Sequence, residues 1–586
     1  VQPFVFGEIV PIAAQLQELA PPDAVVISSA TARLVQGYFA CQDMELHRLR
    51  DKAEPIHLSR VIAVSGAQSR LDIAETAGLT PFVGREAEMA ALLERWAQVQ
   101  DGFGQVVLLS GEAGIGKSRL VQVMKKRLEG TYTLLEFRCS PYDQNRAMYP
   151  VIDCLHRILQ WHEDDTPKEK LKKLETAFAQ CQIPLGETVP LLAAFLSLPH
   201  PDDYYPHLQL SPQQQREKTL GAIVTVVLAL ASCQPVLLIV EDLHWIDPST
   251  LELLTLLVDQ TPAASIYTLL TFRPAFDVPW GNRSYLTHVM LSRLPRPQVE
   301  QMITQVTRGK PLPNELFQQV RDQTDGIPLF VEECVKSILE TGLLQETGDH
   351  YELTKPLPTL TIPTTLHGSL MARLDRLGTA KSVAQLVATI GRQVPYALLQ
   401  AVWQHGEEVL QRELDRLVDA ELVYQHGMRP QATYRFKHAL VQETAYQSLL
   451  RHTREHYHQR IAQLLVEQFP ETTALSPELL AHHYTEAGLI EQAIPYWRRA
   501  GLLALEHSAN SEAMSHLSKG LELLKSLPYT VEYAKQELEL LLTLSPVLIA
   551  MKGYMAPEVG DVSARIYELS EQIGEKPQSF SVMNGL

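Results

Sequence analysis

The run Gln105-Val-Val-Leu-Leu-Ser110 is buried-strand material, and it leads without a break into Gly111, Glu112, Ala113, Gly114, Ile115, Gly116, Lys117 and Ser118. Beyond it, Arg119-Leu-Val-Gln-Val-Met-Lys-Lys-Arg127 reads as a helix. This G-x-x-x-x-G-K-S pattern, flanked by a strand and a helix, constrains the fold more than anything else in the chain. The glycines let backbone N–H groups turn inward around a phosphate at the positive end of the helix. Lys117 is placed to reach the β- and γ-phosphates, and the Ser118 hydroxyl to complete a Mg²⁺ shell. Gly111 through Arg119 is therefore the expected ATP- or ADP-binding loop.

A second apolar strand, Val236-Leu-Leu-Ile-Val240, runs into Glu241 and Asp242. Two acids at a strand's C-terminal end suit nucleoside-triphosphate chemistry: one carboxylate holds Mg²⁺ through water, the other polarises the attacking water. Which acid does which is not fixed by sequence. A third strand, Ile266–Phe272, ends at Arg273, either a sensor of the γ-phosphate or a solvated strand-end arginine. The alternation of strands and helices predicts a doubly wound parallel sheet with its ligand at the strand C-termini.

At 586 residues the chain is too long for one core. Its net charge of −17 argues against a general binder of nucleic acid or acidic membranes. The six cysteines are scattered without a C-x-x-C pair, which suits free thiols in a reducing cytosol. Leu220–Val240 is nearly uncharged, but Ser232-Cys233-Gln234-Pro235 breaks it into a buried helix and a buried strand rather than a membrane span. No charged-then-apolar leader follows Val1, so the expected location is cytoplasmic. The start at Val1, and an end at Leu586 after an uncapped apolar stretch, make a fragment of a longer protein the expectation.

Five segments occur in an order that resembles the STAND branch of the AAA-like ATPases, over roughly residues 80–450. They are Phe82-Val-Gly-Arg-Glu86, the phosphate loop, Val240-Glu-Asp-Leu-His-Trp-Ile-Asp-Pro-Ser249, Thr271-Phe-Arg-Pro274 and Asp325-Gly-Ile-Pro-Leu329. The resemblance implies that Val83, Gly84 and Arg85 border the adenine and that Gly326 and Pro328 belong to a helical lid over the base. It also implies a winged-helix domain, where Ile362–Leu377, Val383–Val402 and Glu407–Leu422 look helical. Tyr434-Arg-Phe-Lys-His438 is similar to that family's strand-to-helix element, and nominates His438 as a reporter of bound ADP; a merely structural histidine is the alternative. Past residue 450, small residues such as Ala493, Ala500 and Ala513 between aromatics such as Tyr484 and Trp497 resemble irregular tetratricopeptide-like hairpins.

Residues 1–65 carry a second resemblance, to the last part of a class III adenylate/guanylate cyclase domain, in Gly7–Gln17, Ala24–Ser29, Leu49–Ile56 and Arg60-Val61. Where that family presents an asparagine and an arginine, this chain has Pro11 and Gln15, so no cyclase activity is expected of it. The expected order is cyclase remnant (1–65), linker (66–79), P-loop ATPase core (80–280), helical lid (281–360), winged helix (361–450) and truncated helical repeats (451–586). The fold class is thus multidomain α/β plus α. The expected function is an ATP-binding switch with slow hydrolysis, whose repeats sense a protein partner or small-molecule inducer and which forms a homo-oligomer on activation. An ATPase-regulated cyclase in the intact parent and a DNA-binding regulator are the alternatives.

Overall fold

The computed structural model describes residues 82–574 apart from 129–131, 142, 162–164, 182, 199–204, 206–209, 341–343, 349, 354–364, 392, 428 and 471–475. Before these it describes 15–17, 19–21, 24–28, 31–32, 39–44 and 57–64. The chain divides into two compact units, one of residues 1–84 and 293–450, the other of 85–292 and 451–586. In the first, β1 (Val25–Ser28), β2 (Phe39–Asp43) and β3 (Leu58–Val64) form an antiparallel sheet with β3 central. Gln15 lies in a helical turn before it; Pro11 falls outside the described residues.

The second unit opens with α1 (Glu86–Gln100), which buries Met89, Leu92, Trp96 and Val99 at helical spacing. Then come β4 (Gln105–Gly111), α2 (Lys117–Arg127), β5 (Thr133–Arg138), α3 (Tyr149–Ile158), α4 (Pro167–Gln180), α5 (Leu185–Phe195) and α6 (Pro212–Cys233). β6 (Val236–Glu241), α7 (Pro248–Gln260), β7 (Ile266–Phe272) and β8 (Leu286–Leu291) complete the core. The five strands β4–β8 are parallel, in the order β5-β6-β7-β4-β8. With both faces covered, β4 and β7 are buried along their whole length, which is why they read as apolar runs. β8 is an edge strand whose exposure varies along its length, with Met290 turned to solvent. It lacks that signature, so the sheet extends past residue 280, into sequence expected to be lid. The uncharged half of α6 buries Leu220, Ile223, Val226 and Val227 in the core. Among the described residues no helix is long and apolar enough to cross a membrane.

The first unit resumes with α8 (Arg296–Val306), α9 (Asn314–Gln323), α10 (Pro328–Glu340), β9 (Leu344–Thr347) and β10 (His350–Leu353). It continues through α11 (Leu366–Arg376), α12 (Thr379–Ile390), β11 (Val394–Pro395), α13 (Tyr396–Val402), α14 (Glu407–Asp419), β12 (Val423–His426), β13 (Thr433–Phe436) and α15 (Ala439–Gln447). The single helix expected over Val383–Val402 is two helices. Pro395 has no N–H for a helical bond, and Val394–Pro395 pairs instead with β13. Buried Arg373 donates to Glu333 at 2.5 Å, to Glu340 at 2.9 Å and to the Ala420 carbonyl at 2.6 Å. Lys336 and Lys437 both reach Glu421, at 2.8 and 2.9 Å. α10 is thereby joined to α11 and to the turn after α14.

α16 (Arg451–Gln468), α17 (Pro477–Glu486), α18 (Ile490–Glu506), α19 (Asn510–Lys525), α20 (Val531–Lys552) and α21 (Pro557–Ile573) belong to the second unit, each packed on the next. Ala493, Ala500 and Ala513 are buried, and a Cβ on Gly501 would lie 2.7 Å from the Leu517 side chain. Small residues are there because neighbouring helices come close.

Candidate functional site

Parallel strands bring their C-terminal ends to one edge of the sheet. β4, at whose end the phosphate loop begins, lies between β7 and β8. Gly116 is the N-cap residue of α2, at φ 102, a left-handed backbone that a residue with Cβ adopts only under strain. No side chain caps the helix, and its N-terminus presents the positive end of the helix dipole. Lys117 is 8% exposed and donates from Nζ to the carbonyls of Gly111 at 2.8 Å and Glu112 at 3.0 Å. Burial lowers its pKa to about 8; Asp242 opposes that shift and Arg273 adds to it. Ser118 and Arg119 are half-buried beside it on the first turn, as are Ala113 and Gly114 in the loop; Ile115 is buried and Glu112 is exposed.

The acids at the end of β6 face different surroundings. Glu241 pairs in register with Arg138 of β5, which feels its charge. Asp242 has a left-handed backbone, φ 57, and donates its N–H to Thr271 Oγ1 at 3.0 Å. Its charge acts on Lys117 and on His244. Arg273, just past β7, acts on the same two groups. Lys117, Asp242 and Arg273 thus share one electrostatic environment, while Glu241 lies toward Arg138.

Sequence reasoning left His244 unnominated. Among the described residues neither of its buried ring nitrogens has a hydrogen-bond partner, and burial holds it down at about 4, with Asp242 opposing and Arg273 and Lys117 reinforcing. Its place two residues after the acid pair was the available signal. Arg85 reaches the phosphate loop. Its buried guanidinium pairs with Glu88 at 2.9 Å and donates to the carbonyls of Ile115, at 3.5 Å, and Ser292. It braces the phosphate loop from behind.

The remaining nominated residues lie in the other unit. Val83 is buried among Leu294, Val299, Phe330 and Val331. Gly84 is left-handed and close to the Gln298 side chain. Gly326, φ 70, could not carry a Cβ, which would meet the Leu294 carbonyl at 2.4 Å; Pro328 starts α10 two residues on. His438 is the N-cap residue of α15, and its charge acts on Glu332 of α10.

Residues 81–270 match the AAA ATPase domain family. This part of the chain is an AAA-type ATPase domain. Over nearly its whole length the chain is similar to an uncharacterized protein of Rhizobium meliloti (strain 1021), 26% identical over 597 residues, covering 98% of this chain and 55% of that protein. The chain thus spans about half the length of that relative. Among solved structures it is similar to a Signal Transduction ATPase with Numerous Domains (STAND) protein with a tetratricopeptide repeat sensor from Pyrococcus horikoshii. There the identity is 13% over 85% of this chain and 66% of that one, with a TM-score of 0.39. A Drosophila ORC structure bound to DNA is 12% identical over 72% of this chain and 99% of that one, with a TM-score of 0.29.

Proposed function

We propose that the chain is an ATP-binding signal-transduction switch of the STAND type, in which hydrolysis is slow and nucleotide state sets the output. The observation that carries this is the uncapped N-terminus of α2, headed by buried Lys117 in one environment with Asp242 and Arg273. A triphosphate fits there: the α2 amides and the Lys117 ammonium meet its oxygens, and Arg273 stands where a γ-phosphate is sensed. The donor set also fits Mg²⁺, a hard cation that takes a hydroxyl, one or two carboxylates and phosphate oxygens rather than a cage of protein ligands. Ser118, with Asp242 and Glu241, would hold it, and when bound it would neutralise charge on the phosphates.

On this reading residues 281–360 from α8 onward act as the lid, Gly326 and Pro328 with Val83 and Gly84 lie at the base, and residues 361–450 are a winged helix in which His438 reports nucleotide state. The helical array from α16 onward takes a protein partner or small inducer, and activation assembles copies of the chain. Turnover by the purified protein tests the switch. It predicts steady-state hydrolysis far below the roughly 1–1,000 s⁻¹ of ordinary enzymes. Continuous turnover inside that range would make the chain a working ATPase instead.

A further inference from the structure

The segment after the acid pair is held at both ends. Asp242 is tied to Thr271, and Asp247 caps α7, accepting from the Thr250 N–H at 2.8 Å, the Thr250 hydroxyl at 2.6 Å and the Met148 N–H at 2.9 Å. A second carboxylate reaches the same helix end from the C-terminal array. Glu512 of α19, 2% exposed, accepts from the Ser249 N–H at 2.8 Å and the Ser249 hydroxyl at 2.9 Å. Arg216 of α6 donates to that hydroxyl at 2.9 Å, bringing a positive charge close behind the pair. Around this point Lys519 donates to Asn145 at 2.9 Å, Arg146 lies 3.6 Å from Glu478, and Ala147 packs into the core of the array. Asn145, Arg146 and Ala147 follow β5, past whose end the Cys139 N–H donates to the Glu241 carbonyl at 3.1 Å.

A carboxylate buried this completely needs bonds to both oxygens, and Glu512 has them at the N-terminus of α7. Asp242 holds a backbone conformation that side-chain-bearing residues keep only where the surroundings over-determine it. We propose that Glu512 is a positioning residue of the nucleotide site: by capping α7 it fixes the stretch from Asp242 to Asp247, and it makes the site's competence depend on the helical array. The inference rests on the nucleotide reading above. Glu512 bonds Ser249 and not a residue of the phosphate loop, so its effect falls on turnover and not on affinity.

The test uses the full chain. Glu512→Ala is expected to lower kcat for ATP hydrolysis about ten-fold, the order set by losing a buried cap, with the nucleotide Kd within about two-fold of wild type. Backbone hydrogen exchange over residues 243–252 should accelerate in the same variant. Glu512→Gln, which keeps an acceptor for the Ser249 N–H, should recover most of both. Unchanged kcat in Glu512→Ala, or kcat and affinity lost together, overturns the proposal. Should Glu512→Ala not fold, Ser249→Ala removes one of the two bonds and must show the same split on a smaller scale; wild-type kinetics there also overturn it. Failure of the wild type itself to bind or hydrolyse ATP would strike the nucleotide reading, whereas equal turnover in wild type and variant strikes only this inference.

Discussion

Arg85 carries a cost and its compensation in one residue. Its backbone is left-handed, φ 72, which a side-chain-bearing residue adopts at a cost of about 1–2 kcal/mol. Its guanidinium offsets that with bonds to Glu88, Ile115 and Ser292, so the residue belongs to the frame of the phosphate loop. Arg85→Ala should lower the unfolding free energy by about 2–3 kcal/mol, since the charged hydrogen bonds to the Ile115 and Ser292 carbonyls are lost. Urea unfolding measures this, and a change under about 0.5 kcal/mol, the level of an ordinary surface substitution, would contradict it. The sequence showed that an arginine stands here. Which carbonyls it meets depends on β8, an edge strand whose Leu286-Thr-His-Val-Met-Leu291 lacks the apolar run that marked β4, β6 and β7.

At the scale of elements, α16 and α17 meet through histidines. His458 and His483 share a hydrogen bond of 2.8 Å between their Nδ1 atoms, and His482 lies edge-on to His458. Burial holds His458 down at about 3 and His483 well below its ordinary value; neighbouring histidines lower both further, and Arg454 adds to this at His458. His482 is lowered by burial too, with Glu486 opposing and Lys519 reinforcing. A histidine whose folded pKa is depressed binds a proton more readily unfolded. Its contribution is therefore complete above about pH 6.5 and is lost as pH falls toward the folded value. Each such histidine contributes a slope of about 1.4 kcal/mol per pH unit within that window. Thermal unfolding of the second unit should drop in temperature between pH 7 and pH 5, and less steeply in His483→Gln. Equal melting at both pH values would refute this account. The helices themselves were legible from spacing and small residues. The histidine contact was not, because positions 25 residues apart carry no local pattern.

For the molecule as a whole, the sequence announced the parallel sheet and the order of the phosphate loop, acidic pair and arginine, because each sits at the end of a buried apolar strand. It did not announce that Glu512 would close onto Ser249, 263 residues earlier. Nor did it show that Arg373, Lys336 and Lys437 would bind α10 to the elements that follow it. Such ties join surfaces completed by different parts of the chain, and only the fold brings their residues together. The proposed function turns on one event, capture of a nucleotide phosphate by the α2 N-terminus and Lys117. Its most direct test is the nucleotide content and ADP affinity of purified wild-type chain beside Lys117→Ala. The wild type should retain or take up one ADP or ATP per chain, and the variant should lose at least about 100-fold in affinity, some 2.7 kcal/mol. A variant that still carries stoichiometric ADP would contradict the account.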